Sequence, residues 1–400
     1  MIYAIDANSL NHTHAVFNAS MLKVLTNVYP EDQIVFYSES DHQDRVKDFL
    51  GGQEKVRLQF FPIRKKTVRN DKIGKIIKTT RNTVSDLLLF IRIFANANKS
   101  KTGKVFVFKA HPVSLLMIKY LKKVYKNTEI MLVMHGEIEF IYSADNSWER
   151  KMGSIYKRLI ETHAKNLRYI LLNKISKKRL VQDGHLYSEE VIEIDHPYPY
   201  SDRPHAPLHT APSPVNIGQV GSLATRKNAH LVYKLAEMLS KEIADGLLRF
   251  VTIGPIDKDA QPYKNDLVED FISENPSEYI SRETFTSETQ KIDYAVFFYE
   301  PHQFIFRASG SIMDVIDFVR PIVALQHPFF DYLSSEVGNI GFLCKDLEEM
   351  ASIVARIAHR DPAVVGQYDE QCANLDKFKR MHSAEHIAVD FKKQANIGVY

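Results

Sequence analysis

The chain has only two cysteines in 400 residues, Cys344 and Cys372, and neither belongs to a Cys-x-x-Cys or Cys/His cluster. That scarcity excludes a disulfide framework and a cysteine-based zinc site, and it fits a reducing cytoplasm. Long apolar runs are missing too. The best candidate, VSDLLLFIRIF, is broken by Asp86 and Arg92 well short of the ~18 residues a membrane helix needs. The first residues, MIYAIDANSL, lack the basic and apolar regions of a signal peptide and read as a β-strand. Low-complexity tracts are absent, and hydrophobic and charged contents of 44% and 25% match soluble globular chains. A length of 400 residues exceeds one hydrophobic core and suits two domains.

The net charge of +3 conceals an asymmetry. Residues 1–200 carry 32 Lys+Arg against 21 Asp+Glu, and the remainder carries 20 against 28. Part of the basic excess lies in PIRKKTVRNDKIGKIIKTTRN, where Arg64, Lys65, Lys66, Arg69, Lys72, Lys75, Lys78 and Arg81 meet only Asp71. Such a segment, followed by amphipathic 84–97, is expected to meet an anionic membrane surface. Nucleic acid is not expected as a partner, because the run lacks interleaved aromatics.

Strand-length apolar runs alternate with helix-length segments, which predicts parallel sheets wrapped by helices. Strands are expected at 2–6, 33–38, 56–61, 104–109, 129–135, 168–172 and 191–195, with helices at 14–28, 83–98, 112–126 and 147–166. The alternation stops at PYPYSDRPHAPLHTAPSP, whose six prolines fit neither element. It restarts with strands at 216–220, 249–254, 279–283, 294–299, 321–325 and 339–344. The expected division is a first domain at 1–196, a linker at 197–214, a second domain at 215–376 and a helical tail at 377–400 that packs back on the first domain. In doubly wound sheets, ligands bind outside the carboxyl ends of the strands, so the loops there should carry function.

Three such loops in the second half are rich in small residues. In FRASGSIMDVIDFVRPIVAL, Ser309, Gly310 and Ser311 precede a helix, so Gly310 and the first helical N–H groups can bind an anion such as a diphosphate. Asp314, one turn on, is then placed to accept hydrogen bonds from a ribose diol. A plainer reading is a capping box formed by Ser311 and Asp314. In GSLATRKN, Gly221 and Ser222 end a strand, Lys227 can reach a phosphate, and Arg226 adds field. Gly254 ends a third strand in FVTIGP. Asp257 and Asp259 of the following DKD match a metal-binding Asp-x-Asp but read as a solvated loop.

The order GSLATRKN, FVTIGP, DYAVFFYEP and RASGSIMDVIDFVRPIVAL resembles the donor-binding domain of GT-B nucleotide-sugar glycosyltransferases, which are built from two doubly wound Rossmann-like domains facing across a cleft. The similarity covers residues 214–345 well and the N-terminal half in outline. It is closest to the retaining group that uses UDP- or GDP-sugars in polysaccharide and glycolipid synthesis. The resemblance implies that Lys227 holds the donor diphosphate, that Asp314 binds the ribose hydroxyls and that residues 309–311 contact phosphate. It also implies that His135, after the strand EIMLVMH, lies near the transferred sugar, with Glu137 beside it, as residues able to assist proton transfer. Glu139, two positions on, is expected to be solvated. His14 falls in the region that would see the acceptor, although a plain helix-start role fits it as well.

Two departures bear on chemistry. The retaining group has two glutamates separated by seven residues, and here those positions are Phe306 and Asp314. The arginine usual after the first loop glycine is Ser222. A Ser-Gly-x-x-x-acid pattern also occurs in inverting members, and retention is the favoured outcome. The reading is a cytoplasmic glycosyltransferase, peripheral at the inner face of the membrane. It would use a nucleotide-sugar donor, a glycan or lipid-linked acceptor, and no metal or other cofactor, the phosphate charge being met by Lys227 and backbone N–H groups. The rivals are an epimerase or hydrolase of the same shape and a noncatalytic sugar-binding or partner subunit.

Overall fold

The computed structural model describes residues 1–11, 13–50, 57–63, 72–100, 103–144, 146–202, 207–209, 213–273, 280–302, 304–306 and 309–397, without the side chains of 72–78. The chain divides into two compact units. Unit 1 comprises Met1–Pro199, Phe306–Ala308 and His382–Tyr400, and unit 2 comprises Tyr200–Ile305 and Ser309–Met381.

Unit 1 holds strands β1 (Ile2–Asp6), β2 (Ile34–Ser38), β3 (Leu58–Pro62), β4 (Lys104–Lys109), β5 (Glu129–Met134), β6 (Leu167–Leu171) and β7 (Val191–Glu193). They form one parallel sheet in the order β3-β2-β1-β4-β5-β6-β7. Runs such as VFVF and IMLVM are buried throughout, as expected of strands covered by helices on both faces. The covering helices are α1 (Ala15–Val28), α2 (Ser40–Leu50), α3 (Lys72–Lys99), α4 (Pro112–Val124), α5 (Ser147–Ile160) and α6 (Lys174–Gln182). Of these, α2 and α6 have no counterpart in the helix-length segments read from the sequence.

Unit 2 repeats the plan. Strands β8 (Val215–Val220), β9 (Leu248–Ile253), β10 (Val268–Phe271), β11 (Tyr294–Phe297), β12 (Ile322–Leu325) and β13 (Gly341–Cys344) form a parallel sheet in the order β10-β9-β8-β11-β12-β13. Its helices are α7 (Leu231–Met238), α8 (Ser240–Ala244), α9 (Arg282–Lys291), α10 (Gly310–Asp317), α11 (Pro328–Val337), α12 (Leu347–Ala358), α13 (Pro362–Val365) and α14 (Tyr368–Met381). The strand expected at 279–283 is not formed. Residue 279 lies outside the described residues, and α9 starts at Arg282, capped by Ser281, whose Oγ accepts from Thr284 N at 3.0 Å. The third strand position of the sheet is taken by β10 instead.

The final helix, α15 (Ala384–Ala395), belongs to unit 1. Its Ile387, Ala388, Phe391 and Ala395 join the core cluster that contains α1 and the strands β1 and β2. The amide of Gln394 covers the edge of β7, accepting from Glu193 N at 2.7 Å and donating to Glu193 O at 2.6 Å. Within unit 1, His382 also contacts the Asp195 carboxylate at 2.9 Å.

The segment read as a linker is bonded into unit 2 at several points, among them Ser201, His209 and Ser213, whose carbonyl accepts from Arg360. Ser201 donates through N and Oγ to Asp317 Oδ1 at 2.6 and 3.0 Å. His209 donates through N to the buried Asp293 at 3.0 Å.

Candidate functional site

In each sheet the strand order reverses beside the first strand, between β1 and β4 in unit 1 and between β8 and β11 in unit 2. Helices leave in opposite directions there and open a crevice at the strand ends.

In unit 2 the three small-residue loops meet at one point. Gly221, just after β8, has φ +92°, and a Cβ on it would lie 1.9 Å from Ser311 Oγ. Gly254, just after β9, has φ +139°, and its Cβ would lie 2.7 Å from the Gly221 carbonyl oxygen. Only residues without a side chain tolerate both the backbone region and the approach. Gly221, Gly254 and Ser311, 90 residues apart at the extremes, are therefore packed against one another.

The capping-box reading of this corner is not realised. The N-cap of α10 is Ser309, Ser311 lies within the first turn, and the Ser309 side chain makes no capping hydrogen bond. Ser309 Oγ is engaged by Tyr299 Oη at 2.9 Å instead. The N–H groups of Gly310 and Ser311 have no acceptor inside the helix, the condition that favours an anion at a helix start. Tyr299 sits just beyond β11, its hydroxyl raised to about 12 chiefly by burial, and its ring stacks on Phe304 at 5.1 Å.

The GSLATRKN loop is tied by its side chains to the loop after β9. Ser222 Oγ donates to Asp257 Oδ1 at 3.1 Å, and Thr225 Oγ1 donates to Asp259. The two acids of the DKD tripeptide thus tether this loop while remaining exposed to solvent, as a solvated loop would be. Arg226 places its guanidinium over the Phe304 ring at 5.7 Å, which joins the first loop to the segment before α10. Lys227 ends the short 3-10 turn Thr225–Lys227, followed by Asn228 in the left-handed region at φ +53°. Asp314 is partly buried, and its Oδ1 lies 3.5 Å from Arg282 Nη1.

In unit 1, the other expected site residues, His14, His135 and Glu137, lie in the segments that follow β1 and β5. His14 is the N-cap of α1 with φ +59°, and its side chain makes no capping hydrogen bond either. Its ring meets His135 edge-on at 4.6 Å, and its Nε2 lies 2.6 Å from Lys109 Nζ. The ammonium must donate there, so His14 accepts at Nε2 and its proton sits on Nδ1. Burial, then the neighbouring charges of His135 and Lys109, hold His14 well below the ordinary histidine range and keep it neutral. His135 donates from Nε2 to Phe108 O at 2.9 Å, and burial lowers it too, which leaves Nδ1 as its lone-pair nitrogen. Lys109 Nζ is 3.8 Å from Glu137 Oε1. Glu139, expected in solvent, is buried on the turn Gly136–Ile141.

Reading the sequence missed several members of this group. Asp6 ends β1 and accepts from Asn8 N, Ser9 N and Asn18 Nδ2 at 3.0, 2.8 and 2.6 Å, and Asn18 in turn contacts His42 Nε2 at 2.7 Å. His196 packs on Phe17 at 5.1 Å and is lowered to about 4, mainly by burial. The available signal was position: Asp6 and Lys109 are polar last residues of apolar strands.

Phe306, which the sequence resemblance sets against the first glutamate of the retaining group, belongs to unit 1. Its ring stacks on Tyr142 at 4.9 Å with planes 9° apart.

No protein-family model and no curated protein matches the chain. Solved structures match along its whole length. A TarM variant from S. aureus, crystallised with fondaparinux, alpha-GlcNAc-glycerol and UDP, is 12% identical with a TM-score of 0.63, covering 99% of each chain. The chain has the GT-B fold. A glycosyltransferase from Rickettsia africae shares this GT-B fold at 13% identity and TM-score 0.60, over 98% of each chain. WaaG, a glycosyltransferase of lipopolysaccharide biosynthesis, shares it at 10% identity and TM-score 0.56, over 100% of each chain. The two Rossmann-like sheets expected from the alternation of strands and helices are thus present in a GT-B chain.

Proposed function

We propose that the protein is a glycosyltransferase that takes a sugar from a nucleotide diphosphate donor held in unit 2. The observation that carries this reading is the convergence of Gly221, Gly254 and Ser311 beside the start of α10. A diphosphate at that point meets backbone N–H groups, with Lys227 as the countercharge and Asp314 as the acceptor for the ribose diol. TarM, bound to UDP in the matching structure, supports a UDP donor, and GDP is the alternative base. Bond cleavage transfers the anomeric carbon from the diphosphate oxygen to an acceptor hydroxyl oxygen, and the leaving charge is stabilised by preorganised donors. Unit 1 binds the acceptor, a glycan or lipid-linked sugar, near His14. The Nδ1 lone pair of His135 or the Glu137 carboxylate takes the hydroxyl proton. No metal is assigned a role, and retention is the stereochemical outcome proposed.

Calorimetry with UDP and GDP, coupled to transfer assays with their sugars, tests the reading. Lys227→Ala and Asp314→Ala should each weaken nucleotide binding about tenfold or more, as removal of a charge-assisted contact does. Unchanged binding and transfer in both variants would place the donor elsewhere. The aromatic Phe306 in a glutamate position favours a noncatalytic subunit as the second reading. Conversion of a UDP-sugar at full rate without acceptor would instead indicate an epimerase or hydrolase.

We further propose contact with the cytoplasmic face of an anionic membrane through residues 64–97. Residues 64–71 and the side chains of 72–78 lie outside the described residues. The described part of α3 supports the reading: Val84, Leu88 and Ile91, spaced i, i+4, i+7, are exposed, Leu88 at 64%. Arg81, Arg92 and Lys99 are exposed on the same helix. Its one acid, Asp86, is buried and accepts from Ser114 Oγ at 2.9 Å. An apolar outer stripe among cations suits an interfacial helix. Flotation with anionic vesicles should recover the protein, and Leu88→Asp should abolish recovery. Equal flotation with neutral vesicles would remove the electrostatic component of the proposal.

A further inference from the structure

The contact between Arg282 and Asp314 bears on which nucleobase the donor carries, an inference that rests on the donor reading above. In a parallel sheet wrapped by helices, the helices that follow strands begin at the carboxyl rim, so α9 and α10 both start on the side of the sheet that carries the three loops. Arg282 is the first residue of α9. Its Nη1 lies 3.5 Å from Asp314 Oδ1, and its guanidinium lies over the Phe285 ring at 5.0 Å. Carboxylate and ring together fix the plane of the cation, while 50% of the side chain stays exposed.

A nucleoside diphosphate is linear in its order of groups: phosphates, ribose, base. With phosphate at Gly310 and Ser311 and ribose at Asp314, the base comes next, and Arg282 is a charged side chain in contact with Asp314. We propose that Arg282 reads the base. A guanidinium carries five donors and no acceptor. It therefore pairs with a carbonyl edge, O4 of uracil or O6 and N7 of guanine, and opposes the exocyclic amino group that replaces that carbonyl in cytosine or adenine. The carboxylate of Asp314 has two oxygens, so contact with Arg282 at Oδ1 is compatible with accepting from a ribose hydroxyl.

The test is calorimetric titration of the full chain with UDP, CDP, GDP and ADP. The wild type should bind UDP over CDP, or GDP over ADP, by about tenfold to a hundredfold, the discrimination of one good base contact. Arg282→Met should bring the preferred nucleotide to within about threefold of its amino counterpart, which should itself bind no more weakly than it does to the wild type. Because Arg282 is half-exposed, the variant should fold, and circular dichroism checks this. Equal weakening of UDP and CDP in Arg282→Met would overturn base reading and leave Arg282 as a prop for Asp314. Absence of discrimination in the wild type would overturn it as well. Failure of every nucleotide diphosphate to bind the wild type would remove the donor reading itself, and the inference with it.

Discussion

A Gly221→Val variant should lose nucleotide diphosphate binding, whereas Gly310→Ala should keep its thermal stability and bind about tenfold more weakly. The two glycines differ in what surrounds them. A Cβ at Gly221 would lie 1.9 Å from Ser311 Oγ and 2.9 Å from Ser311 Cβ, at a φ of +92°. Valine there must push α10 away from β8, and a β-branched residue at positive φ is strained besides. Among the described residues, outside its chain neighbours and the backbone of its own helix, nothing lies within 4 Å of a Cβ at Gly310. Alanine also suits a helix better than glycine, so the fold has no reason to suffer. An incoming phosphate would meet the added methyl group. Thermal unfolding and calorimetry on both variants separate the effects. A Gly310→Ala protein that binds UDP as the wild type does would show that no phosphate sits at this helix start, and a folded Gly221→Val protein with normal affinity would refute the loop convergence as the site.

The largest expected loss of stability comes from the other end of α10. Asp317 and Lys379 are both almost fully buried, 3.9 Å apart, and Lys379 Nζ also donates to Asp317 O at 3.1 Å. The same carboxylate accepts from Ser201. Asp317→Ala leaves an ammonium in the interior without its countercharge, which costs about 3–5 kcal/mol. Urea unfolding should show that loss, and Asp317→Leu combined with Lys379→Met should recover much of it, because the stranded charge is then removed. A loss below about 1 kcal/mol for Asp317→Ala would mean that the lysine finds water or another partner.

Most strands were legible because their residues are apolar without interruption, the mark of parallel strands buried on both faces. The exception, β10, explains itself. Its sequence VEDF carries two acids, and apolar runs cannot reveal it. Asp270 accepts from Tyr233 Oη at 2.8 Å and Thr252 Oγ1 at 2.6 Å, and it pairs with Lys264 at 2.8 Å. Such residues are tolerated because β10 is an edge strand. The small residues of the candidate donor corner could be picked out since glycine and serine at a strand end have few structural reasons to be there. Tyr299, Phe304 and Arg282 could not. They lie in irregular segments or at a helix start, and each acts through a partner distant in sequence or across a turn with no periodic signature. The buried group around Asp6 and Lys109 was hidden for a similar reason, since no local pattern links residues drawn from β1, β4, α1 and α2.

The return of α15 to unit 1 makes that unit discontinuous in sequence, with all of unit 2 except its interruption at 306–308 inserted before the closing helix. During synthesis, the apolar face of α1 that receives Ile387 and Phe391 stays uncovered until some 180 further residues have been made. The inserted unit can complete its own sheet in that interval. A nascent chain halted before residue 384 would therefore carry a finished second half and an open, sticky first half, the substrate on which a chaperone would act.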